Sequence, residues 1–308
     1  MKFRRLGKTE LEVPVVGIGT WQFGGEWGKR FTQQEVNRVL GRAGELGINL
    51  IDTAACYGDH LSESLIGRAI RADRERWIIA TKFGHKFHGN FDRSDHWSPE
   101  EVRDQIETSL KALNTDTIDL YQFHSGSDEA FDQDDLWEML GRQVKAGKIR
   151  HLGISISSRG DKLHQVERAA HVGAGVIQVL YNRLDRGPEE EILPLCHDQD
   201  LGVLSRVPLA SGLLSGKYRP GMEFTGKDDV RSLHDKADVR RRLELVQEIE
   251  WAEVPEGVAV ASWALAWCLQ HAAVTCVIPG CKTVEQLEVN ASAADLDMVR
   301  DDHPQVVR

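Results

Sequence analysis

The sequence predicts an α/β fold, a single (β/α)8 barrel over residues 1–308 with a short N-terminal β-hairpin at about residues 1–14. Three observations carry this. β-like runs alternate with amphipathic, helix-length segments in eight strand–helix units. Several strand runs are almost continuously apolar, as parallel strands covered on both faces are. A length of 308 residues is ordinary for one such barrel, and eight units suit a closed barrel better than an open sheet.

Residues 3–6 and 11–13 flank Gly7, Lys8 and Thr9 and read as a hairpin plugging the barrel bottom. The first barrel strand is 15–17. Its helix carries Val36, Val39, Leu40, Ala43 and Leu46 on one face, with Thr32 and Glu35 at capping-box spacing. Strand 49–52 leads to helix 61–70. Strand 77–82 leads to a helix announced by Ser98, Pro99 and Glu101, with Val102, Ile106, Leu110 and Leu113 as its buried face. Strand 118–123 precedes a helix marked by Leu136, Met139, Leu140 and Val144. Strands 151–154 and 176–180 precede helices at 163–170 and 189–197. Strand 202–206 opens onto about 207–255, rich in Gly, Ser, Lys and Asp, whose length marks a functional or disordered loop. Helix 258–270, strand 275–278 and helix 283–291 complete the repeat.

Composition narrows the function. The chain is 41% hydrophobic and 28% charged, enough apolar material for a large core. No apolar run is long enough to span a bilayer, and the charged N-terminus lacks the apolar stretch of a signal peptide. Cys56, Cys196, Cys268, Cys276 and Cys281 form no CxxC pair, so reduced thiols in a cytoplasm are expected. A net charge of −10 argues against nucleic acid or an anionic membrane as partner. A monomer is the default assembly. No Rossmann fingerprint is present, because the nearest candidate, 17–22, lacks the third glycine.

Chemistry concentrates at strand ends, where barrels of this kind place their catalytic groups. Asp52 ends the second strand and Tyr57 follows in the next loop, while Lys82 and His124 end the third and fourth strands. A free tyrosine titrates too high to exchange protons readily at neutral pH, and a neighbouring ammonium is expected to lower its pKa. Asp52 would hold Lys82 charged and in place, and His124 would donate a hydrogen bond to a carbonyl. The four make an acid–base centre able to protonate an alkoxide as hydride arrives. Nothing in the set supplies hydride, so a redox cofactor is required, a nicotinamide being the simplest.

At these residues the sequence resembles the aldo-keto reductase family. The matching segments are GIGTWQFGG (17–25), GINLIDTAACYGDHLSESLIGRAI (47–70), ATKFG (80–84), DLYQFH (119–124), IRHLGIS (149–155), QVLYN (178–182), PLASGLLSGKY (208–218) and VIPG (277–280). They run in family order over almost the whole chain. The D-T-A-x-x-Y-G segment followed by a strand-end T-K is the specific part. The resemblance implies a barrel that binds NADPH, with NADH as the second choice, across its C-terminal face, and that reduces a small aldehyde or ketone. It places the catalytic tetrad on Asp52, Tyr57, Lys82 and His124, and a substrate pocket at Trp21, Tyr57 and His124. Cofactor contacts fall on Gly19, Thr20, Trp21 and Asp52, and on Ser155 and Gln178 at the carboxamide. Further contacts fall on Arg206, on Pro208, Leu209, Ser211, Gly212 and Lys217 in the covering loop, and on Gly280, Lys282, Gln286 and Asn290 at the adenosine end. The chain departs from the family pattern at Ile156, where many members have Asn, and at Arg206, where many have an aromatic that stacks on the nicotinamide. Gln286 stands where some members have arginine.

Blander readings compete. Asp52 and Lys82 alone would pass for a structural ion pair, Tyr57 for packing and His124 for a buried histidine. Their recurrence at successive strand ends makes coincidence improbable. Trp21, Trp27 and Trp97 either line a pocket or pack rim loops. His85 and His88 lack the companions of a metal site, so no metal is expected. Cys56 reads as an inert small side chain. Two other functions remain open: a Schiff-base lyase using Lys82, and a cofactor-binding accessory or sensor protein with little turnover.

Overall fold

Eight short parallel strands, each followed by at least one helix, wrap into a barrel in the computed structural model, which describes residues 1–157 and 162–307. The chain opens with the antiparallel pair β1 (Phe3–Arg5) and β2 (Glu12–Pro14). It continues through β3 (Ile18–Gly19), α1 (Gln33–Glu45), β4 (Leu50–Asp52), α2 (Leu61–Ala69) and β5 (Ile78–Phe83). A second antiparallel pair, β6 (His85–Gly89) and β7 (Asp92–Asp95), precedes α3 (Pro99–Leu113). Then come β8 (Ile118–His124), α4 (Asp128–Phe131), α5 (Asp134–Lys145), β9 (Ile149–Ser155), α6 (Leu163–Glu167), β10 (Ala174–Leu180) and α7 (Ile192–Asp198). β11 (Gly202–Arg206), α8 (Lys236–Ala252), α9 (Val260–Leu269), β12 (Cys276–Val277) and α10 (Val284–Ala291) complete the chain.

The barrel order is β3–β4–β5–β8–β9–β10–β11–β12. Its seam lies between β12 and the chain around β3. Val277 N–H donates to Val15 C=O and Gly17 N–H to Val277 C=O, each at 2.9 Å. Parallel bridges join Val16 to Val277 and Gly19 to Gly280. Glycine is required here, because a Cβ on Gly19 would lie 2.6 Å from the Ile278 carbonyl oxygen.

Alternation along the strands sorts the core. Leu50, Ala80, Leu120, Val176, Leu204 and Cys276 form one buried apolar cluster, joined by Leu6 and Val13 at the N-terminal hairpin. Two residues further along, the same strand faces carry Asp52, Lys82, Gln122, Gln178 and Arg206. An apolar floor thus supports a polar layer at the C-terminal ends. Outside, the helices pack their apolar stripes on the sheet. Val36, Val39, Leu40 and Ala43 are buried on α1, and Val102, Ile106, Leu110 and Leu113 on α3. Both capping boxes form, Thr32 with Glu35 and Ser98 with Glu101; each such cap contributes about 1 kcal/mol.

Several elements differ from the sequence reading. The first strand is Ile18–Gly19, and residues 15–17 instead form the seam. The helix expected at 163–170 ends at Glu167. The one expected from 189 starts at Ile192, after a 3-10 turn at Gly187–Glu189 that contains Pro188. The β6–β7 pair falls between the expected strand 77–82 and the helix announced by Ser98, where no element was expected. Within 207–255, residues 236–252 are helical. Asp235 caps this helix by accepting from Asp238 N–H at 2.8 Å. Val239, Leu243, Val246 and Ile249 bury themselves against Leu213, Leu214 and Trp263. Among the described residues no helix is long and apolar enough to cross a membrane.

Candidate active site

A cleft of about 1060 Å³ opens at the C-terminal ends of the barrel strands. It is at the upper end of the range for ligand sites. Every residue singled out from the sequence for catalysis, cofactor or substrate lines it except Lys82 and Ser155, which lie buried behind its wall.

At the floor, Lys82 is fully buried, with Nζ 2.7 Å from Asp52 Oδ2 and 2.7 Å from the Thr53 carbonyl oxygen. Its distance to the Tyr57 hydroxyl is longer, 3.5 Å. The other Asp52 oxygen accepts from Gln178 Nε2 at 2.7 Å and Gln122 Nε2 at 3.3 Å. Ser155 Oγ donates to Gln178 Oε1 at 3.2 Å. The amide of Gln178 is therefore already engaged in holding the Asp52 carboxylate. Gln122 belongs to the same network and went unread in the sequence, although strand alternation from Leu120 through Gln122 to His124 was the signal. The accessory question of Lys82 as a Schiff-base nucleophile meets an ammonium with no exposure to the cleft.

Tyr57 and His124 face each other with ring centroids 6.2 Å apart and planes at 82°. The loop carrying Tyr57 nests against the turn at Trp21–Gly24. A Cβ on Gly24 would lie 2.7 Å from the Tyr57 carbonyl carbon, and one on Gly58, at φ +69°, would lie 2.6 Å from the Gly24 oxygen. Behind the loop, buried Glu63 accepts from Thr81 Oγ1 at 2.6 Å and pairs with His60 at 2.5 Å.

The electrostatics correct one sequence expectation. The Tyr57 hydroxyl is pushed well above its ordinary pKa, first by burial and then by Asp52, against the opposing pull of Arg206 and Arg93. The Lys82 ammonium, engaged with Asp52 and Thr53 and 3.5 Å from the hydroxyl, does not outweigh burial. Tyr57 is thus held protonated. His124 is pushed well below its ordinary value by burial and by His85, Lys82, Arg206 and Arg93. Its imidazole is neutral and can donate one N–H. Cys56 lines the cleft with Sγ 3.8 Å from His124 Nδ1, and burial raises its thiol.

One wall depends on a residue the sequence did not flag. Glu26 is fully buried and accepts from Trp21 Nε1 at 2.6 Å, from Phe91 N–H at 2.8 Å and from Arg93. It fastens the β6–β7 pair to Trp21, whose ring stacks on Tyr57 at 6.0 Å and 21°. Trp27 also lines the cleft, whereas Trp97 is buried against Phe83, Phe123 and His85. Among the described residues no group of three or more His, Cys, Asp or Glu side chains is arranged to hold a metal.

The far end of the cleft is cationic. Lys282 Nζ donates to Trp27 C=O, and Lys29 Nζ donates to Lys282 C=O at 3.2 Å. Burial, Arg231, Lys29 and Lys217 depress the Lys282 ammonium, with Asp229 opposing. Arg231 is anchored by Asp229 at 2.6 Å and by the Tyr218 hydroxyl at 2.8 Å. A β-bridge joins Trp27 to Asp229, so the segment after β3 is tied to the long segment after β11. Thr283 caps α10 by accepting from Gln286 N–H at 3.3 Å. In place of a reciprocal bond to the cap itself, Gln286 Oε1 accepts from Lys282 N–H at 2.8 Å, one residue before it. Asn290 lies buried on the same wall.

Comparison with known proteins supplies the context. The model of the Aldo/keto reductase family matches residues 15–308. The uncharacterized oxidoreductase YqkF of Bacillus subtilis is 32% identical over 302 residues, spanning 96% of this chain and 92% of that protein. The NADH-specific methylglyoxal reductase of Escherichia coli is 29% identical over 316 residues, spanning 97% and 95%. Among solved structures, the aldo-keto reductase AKR11C1 from Bacillus halodurans in its holo form aligns with a TM-score of 0.80 at 30% identity, covering 96% of this chain and 91% of that one.

Proposed function

The chain belongs to the aldo/keto reductase family, and from that premise we propose that it reduces a small aldehyde or ketone with NADPH, using Tyr57 as general acid. The family comprises oxidoreductases of carbonyls that use nicotinamide cofactors. The observation that carries the reading is a protonated Tyr57 beside a neutral His124, at the floor of a cleft large enough for a dinucleotide and a small substrate.

The bound reduced nicotinamide supplies a hydride to the carbonyl carbon. His124 donates its N–H to the carbonyl oxygen and orients it. As negative charge develops there, the Tyr57 O–H bond breaks and its proton passes to that oxygen, leaving a phenolate. Lys82, 3.5 Å away, stabilises the phenolate, and Asp52 keeps Lys82 charged and placed. The steps reverse for alcohol oxidation.

The residues fit the cofactor. Gln178, lining the cleft and held from behind by Ser155, would meet the carboxamide, and Arg206, whose buried Nε has no partner among the described residues, would flank the ring. Gly19, Thr20, Trp21, Asp52, Pro208, Leu209, Ser211, Gly212 and Lys217 would line the ring and pyrophosphate, and Gly280, Lys282, Gln286 and Asn290 the adenosine. Lys282, crowded by Lys29, Lys217 and Arg231, is suited to the extra phosphate of NADPH. The Escherichia coli relative named as NADH-specific makes this choice worth measuring. The test is fluorescence titration with NADPH and NADH, followed by NADPH oxidation with a panel of aldehydes. Tyr57→Phe is expected to cut turnover by roughly 10²–10⁴-fold and to leave NADPH affinity nearly unchanged. Full activity in that variant removes Tyr57 from the role, and binding without turnover in the wild type favours a sensor.

A further inference from the structure

Three cations flank the reacting end of the cleft, and they are not equivalent. Lys82 is paired with Asp52 at 2.7 Å. Arg93 is paired with Glu26. Arg206, at the end of β11, makes no ion pair among the described residues. Its Nη2 donates to the Ile156 carbonyl at 3.2 Å, and its buried Nε has no partner among the described residues. It lines the cleft beside the polar layer of Asp52 and Gln178. A guanidinium stays charged at any working pH. Among the described residues the site therefore contains two internally neutralised pairs and one positive charge with no carboxylate in contact.

We infer that Arg206 makes the cleft discriminate between oxidation states of its cofactor, favouring the neutral reduced nicotinamide over the cationic oxidised one. This rests on the nicotinamide reading proposed above. A reduced nicotinamide ring carries no charge, and the oxidised pyridinium ring carries one positive charge. A fixed guanidinium beside that ring repels only the oxidised form, whereas an aromatic side chain would treat the two forms more alike. Repulsion between like charges a few ångström apart in a partly buried site is worth about 10- to 1000-fold in an equilibrium constant. Asp52 reduces this without cancelling it, since its charge is already shared with Lys82. The consequence is rapid loss of oxidised cofactor after reduction and poor loading for alcohol oxidation. Each tenfold difference also raises the two-electron potential of the bound couple by about 30 mV.

The experiment titrates wild type, Arg206→Lys and Arg206→Leu with NADPH and with NADP+, reading Kd by protein fluorescence or calorimetry. The wild-type ratio of Kd for NADP+ to Kd for NADPH is expected to be about 10 or more. Arg206→Lys keeps the charge and is expected to keep the ratio within about threefold. Arg206→Leu is expected to lower it by about tenfold, chiefly through tighter NADP+ binding. An unchanged ratio in Arg206→Leu, with both nucleotides still bound, overturns the inference and leaves the nicotinamide reading intact. Should that variant fail to fold, the wild-type ratio decides, a value near one overturning the inference. Failure of wild type to bind either nucleotide overturns the nicotinamide reading and this inference with it.

Discussion

Lys82 lies closer to Asp52 than to Tyr57, and that order governs what each substitution will do. Removing one partner of a buried pair leaves the other charge stranded, typically at about 3–5 kcal/mol. Variants of Asp52 and Lys82 therefore confound catalysis with stability, and Tyr57→Phe is the cleaner probe. At the other end of the cleft, Lys282→Ala is expected to weaken NADPH binding by about tenfold, the loss of one charge-assisted contact to a phosphate, and to leave NADH binding nearly unchanged. Parallel titrations check this, and equal weakening of both nucleotides would remove Lys282 from the 2′-phosphate. The residues at strand ends were legible because strand position alone aims them into one rim. Gln122 was legible in principle from alternation but looked like ordinary strand polarity. The raised pKa of Tyr57 was not legible, since burial and competition for the Lys82 ammonium exist only once the chain is folded.

Among the elements, the β6–β7 pair has the least support from sequence pattern and an important place in the cleft. Its residues, from His85 to Asp95, are mostly polar or charged, so no apolar alternation announces them. What fixes the pair is Glu26, far away in sequence. Glu26→Ala is expected to destabilise the protein by about 3 kcal/mol, because Arg93 is left without its carboxylate. It should also raise KM for the carbonyl several-fold as Trp21 and the pair loosen. Denaturant unfolding and steady-state kinetics measure both, and an unaltered KM would confine Glu26 to folding. Glu26→Gln keeps a single acceptor oxygen, for either Trp21 or Phe91 but not both, and is expected to recover only part of the loss. Helix α8 was hidden differently. Its apolar residues are spaced for a helix, but charged neighbours and the Gly- and Asp-rich run before it dominate the composition. By contrast, α1 and α3 were read correctly from their capping boxes and apolar stripes, because both signals are local.

Taken whole, the molecule is built to be weakened by acid. Burial and Arg4 push the His303 imidazole down to about 3, from an ordinary value of 6.5. Below pH 6.5 the unfolded chain binds a proton there that the folded chain refuses. Stability present above that pH is therefore lost progressively as pH falls toward about 3. Burial shifts His85, His124 and His271 in the same direction. The melting temperature should fall by several degrees between pH 7 and pH 5, and His303→Gln should make that fall shallower. A melting temperature that rises over this range would contradict the assignment.

The seam between β12 and the chain around β3 carries a kinetic consequence. Val15, Gly17 and Gly19 meet residues 277–280, with nearly the entire polypeptide between them. Contacts between such distant parts of a chain form late, because the loop they close is long and its entropy must be lost first. Gly19 and Gly280 also stand in the wall of the cleft. Renaturation from denaturant should therefore recover far-ultraviolet circular dichroism before it recovers nucleotide binding. The last step of folding would be the one that completes the binding site.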